Sequence, residues 1–254
     1  MVRTLKDIID YKTAPLVQWE PVIGEEPSAG KRKEDSLTHN AIISELWRMN
    51  AKNITGIIAD EGRLELDIAA QNSKALYITH LTLPGVFAAA ARHNHEAAVD
   101  ADRPNAYRVR VTEDVDSVLP NNQDAVVMNM ILGCLATHDD HENIHRMLTF
   151  AAGLLKPEGS LIIVRPNPEG GAFETYHCLT PACDLKAGGD YDFTVKGLED
   201  FGAMKNLYTP DSFLKSALKK AGFEMGPTKP VSGKPHAMLT QAPFLMNACG
   251  MGCK

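Results

Sequence analysis

At 254 residues, 44% hydrophobic and 23% charged, the chain suits one α/β domain with a short extension, or two small domains. A net charge of −6 argues against a general nucleic-acid or anionic-membrane surface, and no run approaches the roughly 20 apolar residues a membrane span needs. Five cysteines, an odd number, and an N-terminus without an apolar signal core point to a reducing, cytoplasmic setting.

Residues 1–36 read as an N-terminal extension, punctuated by Pro15, Pro21, Gly24, Pro27 and Gly30, with Trp19 as an anchor. Its one basic run, Lys31-Arg32-Lys33, is followed at once by Glu34 and Asp35 and reads as a solvated loop. Ser36 can cap a helix in which Leu37, Ile42, Ile43, Leu46 and Trp47 recur at helical spacing. Ile57 to Ala70 continues in that style, so 37–73 is expected to be a helical cap.

From Lys74 the pattern turns to strand–helix alternation, the signature of a parallel sheet. Ala75–Thr79 is the expected first strand, and Pro84 opens a helix to His93. Glu96–Val99 is read as a second strand ending in Asp100, and Tyr107–Val111 as a third. Asp124–Met130 is apolar on both faces, as a central strand should be. A helix from Asp140 to Leu155 is stopped by Pro157 and Gly159, before a fifth strand at Ser160–Val164. The polar stretch 167–208 is long for a connection and is expected to cover the active face. Thr209-Pro210-Asp211 starts a helix that ends at Gly222, and Phe223–Met225 and Ala237–Thr240 read as closing strands. Residues 243–254 form a tail.

The segments Gln123-Asp-Ala-Val-Val-Met-Asn-Met-Ile-Leu-Gly-Cys-Leu135, Leu154-Leu-Lys-Pro-Glu-Gly159 with its strand to Pro168, and Leu207 to Glu224 ending in Ala-Gly-Phe-Glu carry a resemblance. In this order they resemble the class I S-adenosylmethionine-dependent methyltransferases of the small-molecule branch, over roughly residues 70–242, with the methyltransferase-like domain itself expected at 74–242. The resemblance implies an α/β fold: a Rossmann-like, seven-stranded, mostly parallel sheet with helices on both faces and an antiparallel closing hairpin. It implies S-adenosylmethionine as cofactor and an O, N or S nucleophile of a small molecule as methyl acceptor.

In that family the turn after the first strand is glycine-rich, because the backbone must approach the methionine end of the cofactor. Taken to be Thr79-His80-Leu81-Thr82-Leu83-Pro84-Gly85, this turn keeps only Gly85, places Leu81 and Leu83 where small residues belong, and lacks the acid at the strand's end. The alternative is therefore an inactive, methyltransferase-like structural or regulatory subunit, with a protein partner or a homodimer in place of a substrate.

Cofactor contacts implied by the resemblance are Thr79 and Gly85 in the turn, Asp100 on the ribose (Asp102 if the register is off), Asp114 and Val115 at the adenine, and Asn129 with Met130 near the methyl. Each has a plainer reading: Asp100 as a loop cap, Asp114 as a turn residue, Asn129 as a backbone partner. His138 is the candidate general base, Tyr176 and His177 the candidate substrate contacts, and Tyr191 and Phe193 further lid residues. His141 and His145 have the spacing of zinc helices but lack a third ligand. Cys178 and Cys183 with Cys249 and Cys253 are too loosely spaced for a usual knuckle, so reduced thiols and no metal are expected.

Overall fold

The computed structural model describes residues 2–10, 29–58, 60–168, 176–195 and 203–245. In chain order it builds α1 (Ala29–Arg48), β1 (Asn53–Ile57), α2 (Arg63–Gln71), β2 (Tyr77–Leu81), α3 (Val86–Asp100), β3 (Val109–Thr112), β4 (Gln123–Asn129), α4 (Glu142–Leu154) and β5 (Leu155–Pro166). There follow β6 (Tyr176–Cys178), β7 (Asp190–Val195), β8 (Met204–Leu207), α5 (Asp211–Lys220), β9 (Thr228–Val231) and β10 (Lys234–Pro243).

Seven strands form one sheet in the order β3-β2-β1-β4-β5-β10-β9. Strands β1 to β5 are parallel, while β10 runs antiparallel to both β5 and β9. This is the Rossmann-like sheet with a closing hairpin that the sequence led us to expect. Strand order reverses between β1 and β4, so the crevice such sheets use opens at their carboxyl ends.

Both faces are covered. Helices α1 to α3 bury Ile42, Leu46, Ile54, Leu64, Ile78 and Val127 on one face. On the other face α4, α5 and the N-terminal arm bury Leu5, Ile57, Leu81, Met128, Leu148 and Leu214. The arm is tied down by Val115 N–H donating to Arg3 O at 2.9 Å. No helix among the described residues is long and apolar enough to cross a membrane.

Four local expectations are corrected. The stretch 37–73 is not a helical cap, because it contains β1, a central strand buried from Ile54 to Ile57. Ile57 shares its helical spacing with Leu64 and Ile68, and that coincidence hides the strand. Glu96–Val99 is not a strand but the last turns of α3, whose alanine-rich sequence has strong helix propensity and buries Phe87, Ala91 and Ala98 on one face. Helix α1 starts at Ala29, inside the expected extension. The closing strand lies at Thr228–Val231, and Phe223 makes only a single bridge to Phe244.

A second, antiparallel sheet of β6, β7 and β8 arises from the polar stretch after β5. It has its own small core of Tyr191, Phe193, Met204 and Tyr208. Trp19 and the tail cysteines Cys249 and Cys253 lie outside the described residues.

Candidate active site

The carboxyl edge of the sheet is assembled from four exits. After β1 the chain passes Ile58 and enters a turn at Asp60–Gly62 that leads into α2. Ile58 (φ 48), Glu61 (φ 54) and Gly62 (φ 80) are all left-handed. A β-branched residue at positive φ is a genuine outlier, of the kind that collects at functional sites. The side chain of Ile58 is buried in the core, and the turn lies at the carboxyl end of β1.

This is the true first-strand turn, and it changes the reading of the leucines. Leu81 and Leu83 follow the second strand and are fully buried in the core beside Leu5 and Phe87. They do not stand in the turn after the first strand, so the argument for a blocked crevice lapses. Gly85 caps α3 with φ 91, and a Cβ there would meet nothing within 4 Å; the backbone alone calls for glycine.

Beyond β3, Asp114 accepts a hydrogen bond from Asp116 N–H at 3.0 Å and so caps its own short turn. Val115 is buried against the N-terminal arm. Glu113, on the same edge, pairs with Arg92 of α3. At the exit of β4, Asn129 Oδ1 is buried with no hydrogen-bond partner among the described residues. Such an acceptor is costly unless a donor reaches it. Met130 follows at φ 59, its N–H donating to Val164 O at 2.7 Å.

The small sheet packs over this last exit. A Cβ on Gly133 would lie 1.8 Å from Asn206 Oδ1 and 2.9 Å from Leu207 O, so glycine permits the close approach of β8. Asn206 Oδ1 is a second buried acceptor with no partner among the described residues. His138 is exposed, with its ring Nδ1 3.0 Å from Asp190 Oδ2 and Nε2 3.0 Å from Asp139 Oδ1. The hydrogen bond to Asp190, then the charge of Asp139, raise its pKa above the ordinary 6.5. An imidazole with both nitrogens facing carboxylates is poorly disposed to accept a proton from a substrate.

Asp100 with Asp102, Thr79, and Tyr191 with Phe193 lie away from their expected places. Asp100 is the last residue of α3, exposed, and the turn that carries Asp102 follows it, because the segment before them is helix rather than strand. A helix leaving the carboxyl edge of β2 returns to the opposite edge, so neither acid borders the crevice. Thr79 lies in mid-strand and lines a groove of about 290 Å³ with Tyr77, Arg108, Arg110 and Ser117, alongside Asn53 and Gln123 at the amino ends of β1 and β4. Tyr176 and His177 belong to β6, pairing with Val195 and Thr194 of β7. Tyr191 and Phe193 form the core of the small sheet instead of lining a pocket.

Among the described residues no group of three or more His, Cys, Asp or Glu is placed to hold a metal ion. His141 Nε2 donates to, or lies against, Gly188 O at 3.0 Å, and Cys178 and Cys183 are free thiols.

Sequence reasoning did not single out Gly62, in the turn after β1, or Asn206, on β8. The available signal was Asn53-Ile-Thr-Gly-Ile-Ile58, a β-branched run closed by Asp60-Glu61-Gly62. Asn206 carried no signal, since its place depends on a contact with Gly133 across 73 positions of chain.

No protein-family model and no curated protein matches the chain. Solved structures do. The glycopeptide N-methyltransferase MtfA, complexed with S-adenosyl-L-homocysteine, has a TM-score of 0.60 at 15% identity, over 82% of this chain and 89% of that one. The [4+2]-cyclase SpnF has 0.58 at 14%, over 89% and 86%. An O-methyltransferase family protein from Burkholderia thailandensis has 0.50 at 17%; the match covers 83% of this chain but 59% of that one. The chain has the fold of the class I methyltransferases.

Proposed function

We propose that this chain is an S-adenosylmethionine-dependent methyltransferase acting on an O, N or S nucleophile of a small molecule. The observation that carries the reading is the buried, unpartnered amide oxygen of Asn129, set at the topological switch point of a sheet with the complete methyltransferase strand order. The left-handed turn Asp60–Gly62, with Ile58 tucked into the core, fits a backbone that must come close to a ligand. The glycopeptide N-methyltransferase and the O-methyltransferase family protein among the structural neighbours support the same reaction class.

The residues that would hold the cofactor are the backbone of 60–62 at its methionine end, Asn129 at the switch point, and the acids Glu113 and Asp114 on the far side. When bound, S-adenosylmethionine supplies an electrophilic methyl group. Methyl transfer depends chiefly on proximity and alignment, so the chain's task is orientation rather than proton transfer. Asn206, on the sheet that packs over the β4 exit, offers an acceptor to a substrate N–H or O–H. The His138–Asp190 contact holds that sheet in place.

Thermal denaturation of the chain with S-adenosylmethionine and S-adenosylhomocysteine tests this. A ligand at about 100 times its Kd adds roughly 2.7 kcal/mol, or about 5 °C or more for a domain of this size. No shift with either compound ends the reading. A second reading has its own support: the [4+2]-cyclase among the neighbours shares this fold while catalysing a different reaction. Cofactor binding without methyl consumption, across a panel of hydroxyl, amine and thiol acceptors, would favour it.

A further inference from the structure

Gly56 and Glu65 occupy one another's space. A Cβ on Gly56, in β1, would lie 1.6 Å from Glu65 Oε1 and 2.8 Å from its Cδ, so the α2 carboxylate fills the room that a strand side chain would take. His80 is the register partner of Gly56 on β2, and its Nδ1 lies 3.1 Å from Glu65 Oε2. Glu65 is 0% exposed and His80 1%. Neither oxygen of the Glu65 carboxylate has a hydrogen-bond partner among the described residues, so its approach to His80 is a close contact and not an aligned hydrogen bond.

A carboxylate so deeply placed is costly unless something besides packing retains it. Leucine or methionine at 65 would fill the same core at less expense. The position of the pair supplies the reason. Its imidazole lies beneath the turn from β1 to α2: a Cβ on Gly62 would be 3.7 Å from His80 Cγ and 3.8 Å from Ala91 Cβ. The same turn is held by Asn94 Nδ2 of α3, which donates to Glu61 O at 3.1 Å.

We propose that Glu65 is a positioning residue: helix α2 passes its carboxylate through the gap at Gly56 to brace His80 under the turn 60–62, and so sets the backbone on which the methionine end of the cofactor rests. The inference deepens the methyltransferase reading and rests on it. The Gly56 gap and the Glu65 carboxylate are one device, because the carboxylate occupies the space that any side chain at 56 would need.

The test is calorimetric titration of the full chain with S-adenosylhomocysteine and with adenosine, which lacks the amino-acid end. Glu65→Ala is expected to weaken S-adenosylhomocysteine by roughly tenfold to a hundredfold while leaving adenosine within about twofold. Glu65→Gln, which keeps shape and hydrogen-bonding capacity, is expected to stay near wild type. Gly56→Ala is expected to copy the Glu65→Ala loss by displacing the carboxylate, yet to add nothing in the Glu65→Ala background. Gly56→Asp with Glu65→Ala is expected to restore part of the affinity. If Glu65→Ala does not fold, Gly56→Ala carries the same comparison. Unchanged S-adenosylhomocysteine affinity in these variants, or equal loss of both nucleosides, overturns the inference alone. Binding of neither nucleoside by the wild-type chain overturns the methyltransferase reading and the inference together.

Discussion

His138 and Asp190 meet twice: the backbone N–H of His138 donates to Asp190 Oδ1 at 3.1 Å, and its ring Nδ1 lies 3.0 Å from Asp190 Oδ2. Asp190 opens β7, so the contact ties the segment after β4 to the small sheet that packs over it. The hydrogen bond to Asp190 and the charge of Asp139 raise the imidazole's pKa, with Lys205 opposing. A raised folded-state value means that folding favours the protonated form. The contribution is therefore full below about 6.5 and fades as pH rises through the raised value. Protection of the β7 and β8 amides, corrected for the intrinsic pH dependence of exchange, should fall between pH 6 and 9, and His138→Ala should flatten that fall. Protection that does not change with pH, or the same fall in the variant, would refute the tie.

Gly133 lets β8 approach the exit of β4. The Cβ of Gly133→Ala would meet Asn206 Oδ1 at 1.8 Å and Leu207 O at 2.9 Å. Asn206 can rotate away, but a backbone oxygen cannot, so the strand must shift. Overpacking of this kind typically costs about 1–3 kcal/mol. Asn206→Ala should relieve part of the damage and not all of it, which a double-mutant cycle on chemical denaturation midpoints would detect. Full additivity would mean that the two residues do not touch.

Asp124 pins the opposite edge of the sheet. Its Oδ2 accepts from Lys52 N–H and Asn53 N–H, both at 2.8 Å, at the entrance of β1, while Oδ1 pairs with Lys156 of β5. Burial alone would raise its pKa, but the Lys156 hydrogen bond and the two backbone N–H groups outweigh it and lower the value below 3.8. The stabilisation is present above that pH and is lost as pH falls through the depressed value. Asp124→Ala should cost about 1–3 kcal/mol, because it strands two donors. Thermal midpoints at pH 7 and pH 3 should differ less in the variant than in the wild type; equal differences would remove Asp124 from the account.

The second half of the fold was legible because its signals are local. Ala125–Met128 is a solid apolar run within β4, Lys156-Pro157-Glu158-Gly159 marks the first residues of β5, and Pro210 with Gly222 brackets α5. The first half was read one strand out of step. Strand β1 is five residues long and contains Gly56, whose missing side chain makes sense only once Glu65 is seen filling its place. Missing β1 promoted β2 to first strand, which in turn demanded a second strand from the helical residues Glu96–Val99. The candidate residues followed the register: Asn129, Asp114 and Gly85 lie at the carboxyl edge of the sheet, while Asp100 and Thr79 do not. Long-range relationships such as Gly133 with Asn206 have no sequence pattern, since tertiary packing alone brings them together.

Asn129 offers the most direct probe of the crevice. Its Oδ1 is buried without a partner among the described residues, and it ends the central strand beside Val164 of β5. If a ligand donor satisfies that oxygen, Asn129→Leu should remove one hydrogen bond and add bulk where the ligand lies. A neutral bond is worth about 0.5–1.5 kcal/mol, so affinity for S-adenosylhomocysteine should fall by at least severalfold. The unliganded protein should respond in the opposite sense, since replacing an unsatisfied buried amide with an apolar group relieves a desolvation penalty. The expected signature is a chain that melts at a higher temperature alone and gains less from ligand. A variant that loses stability and keeps its affinity would show that the amide serves the core instead of the crevice.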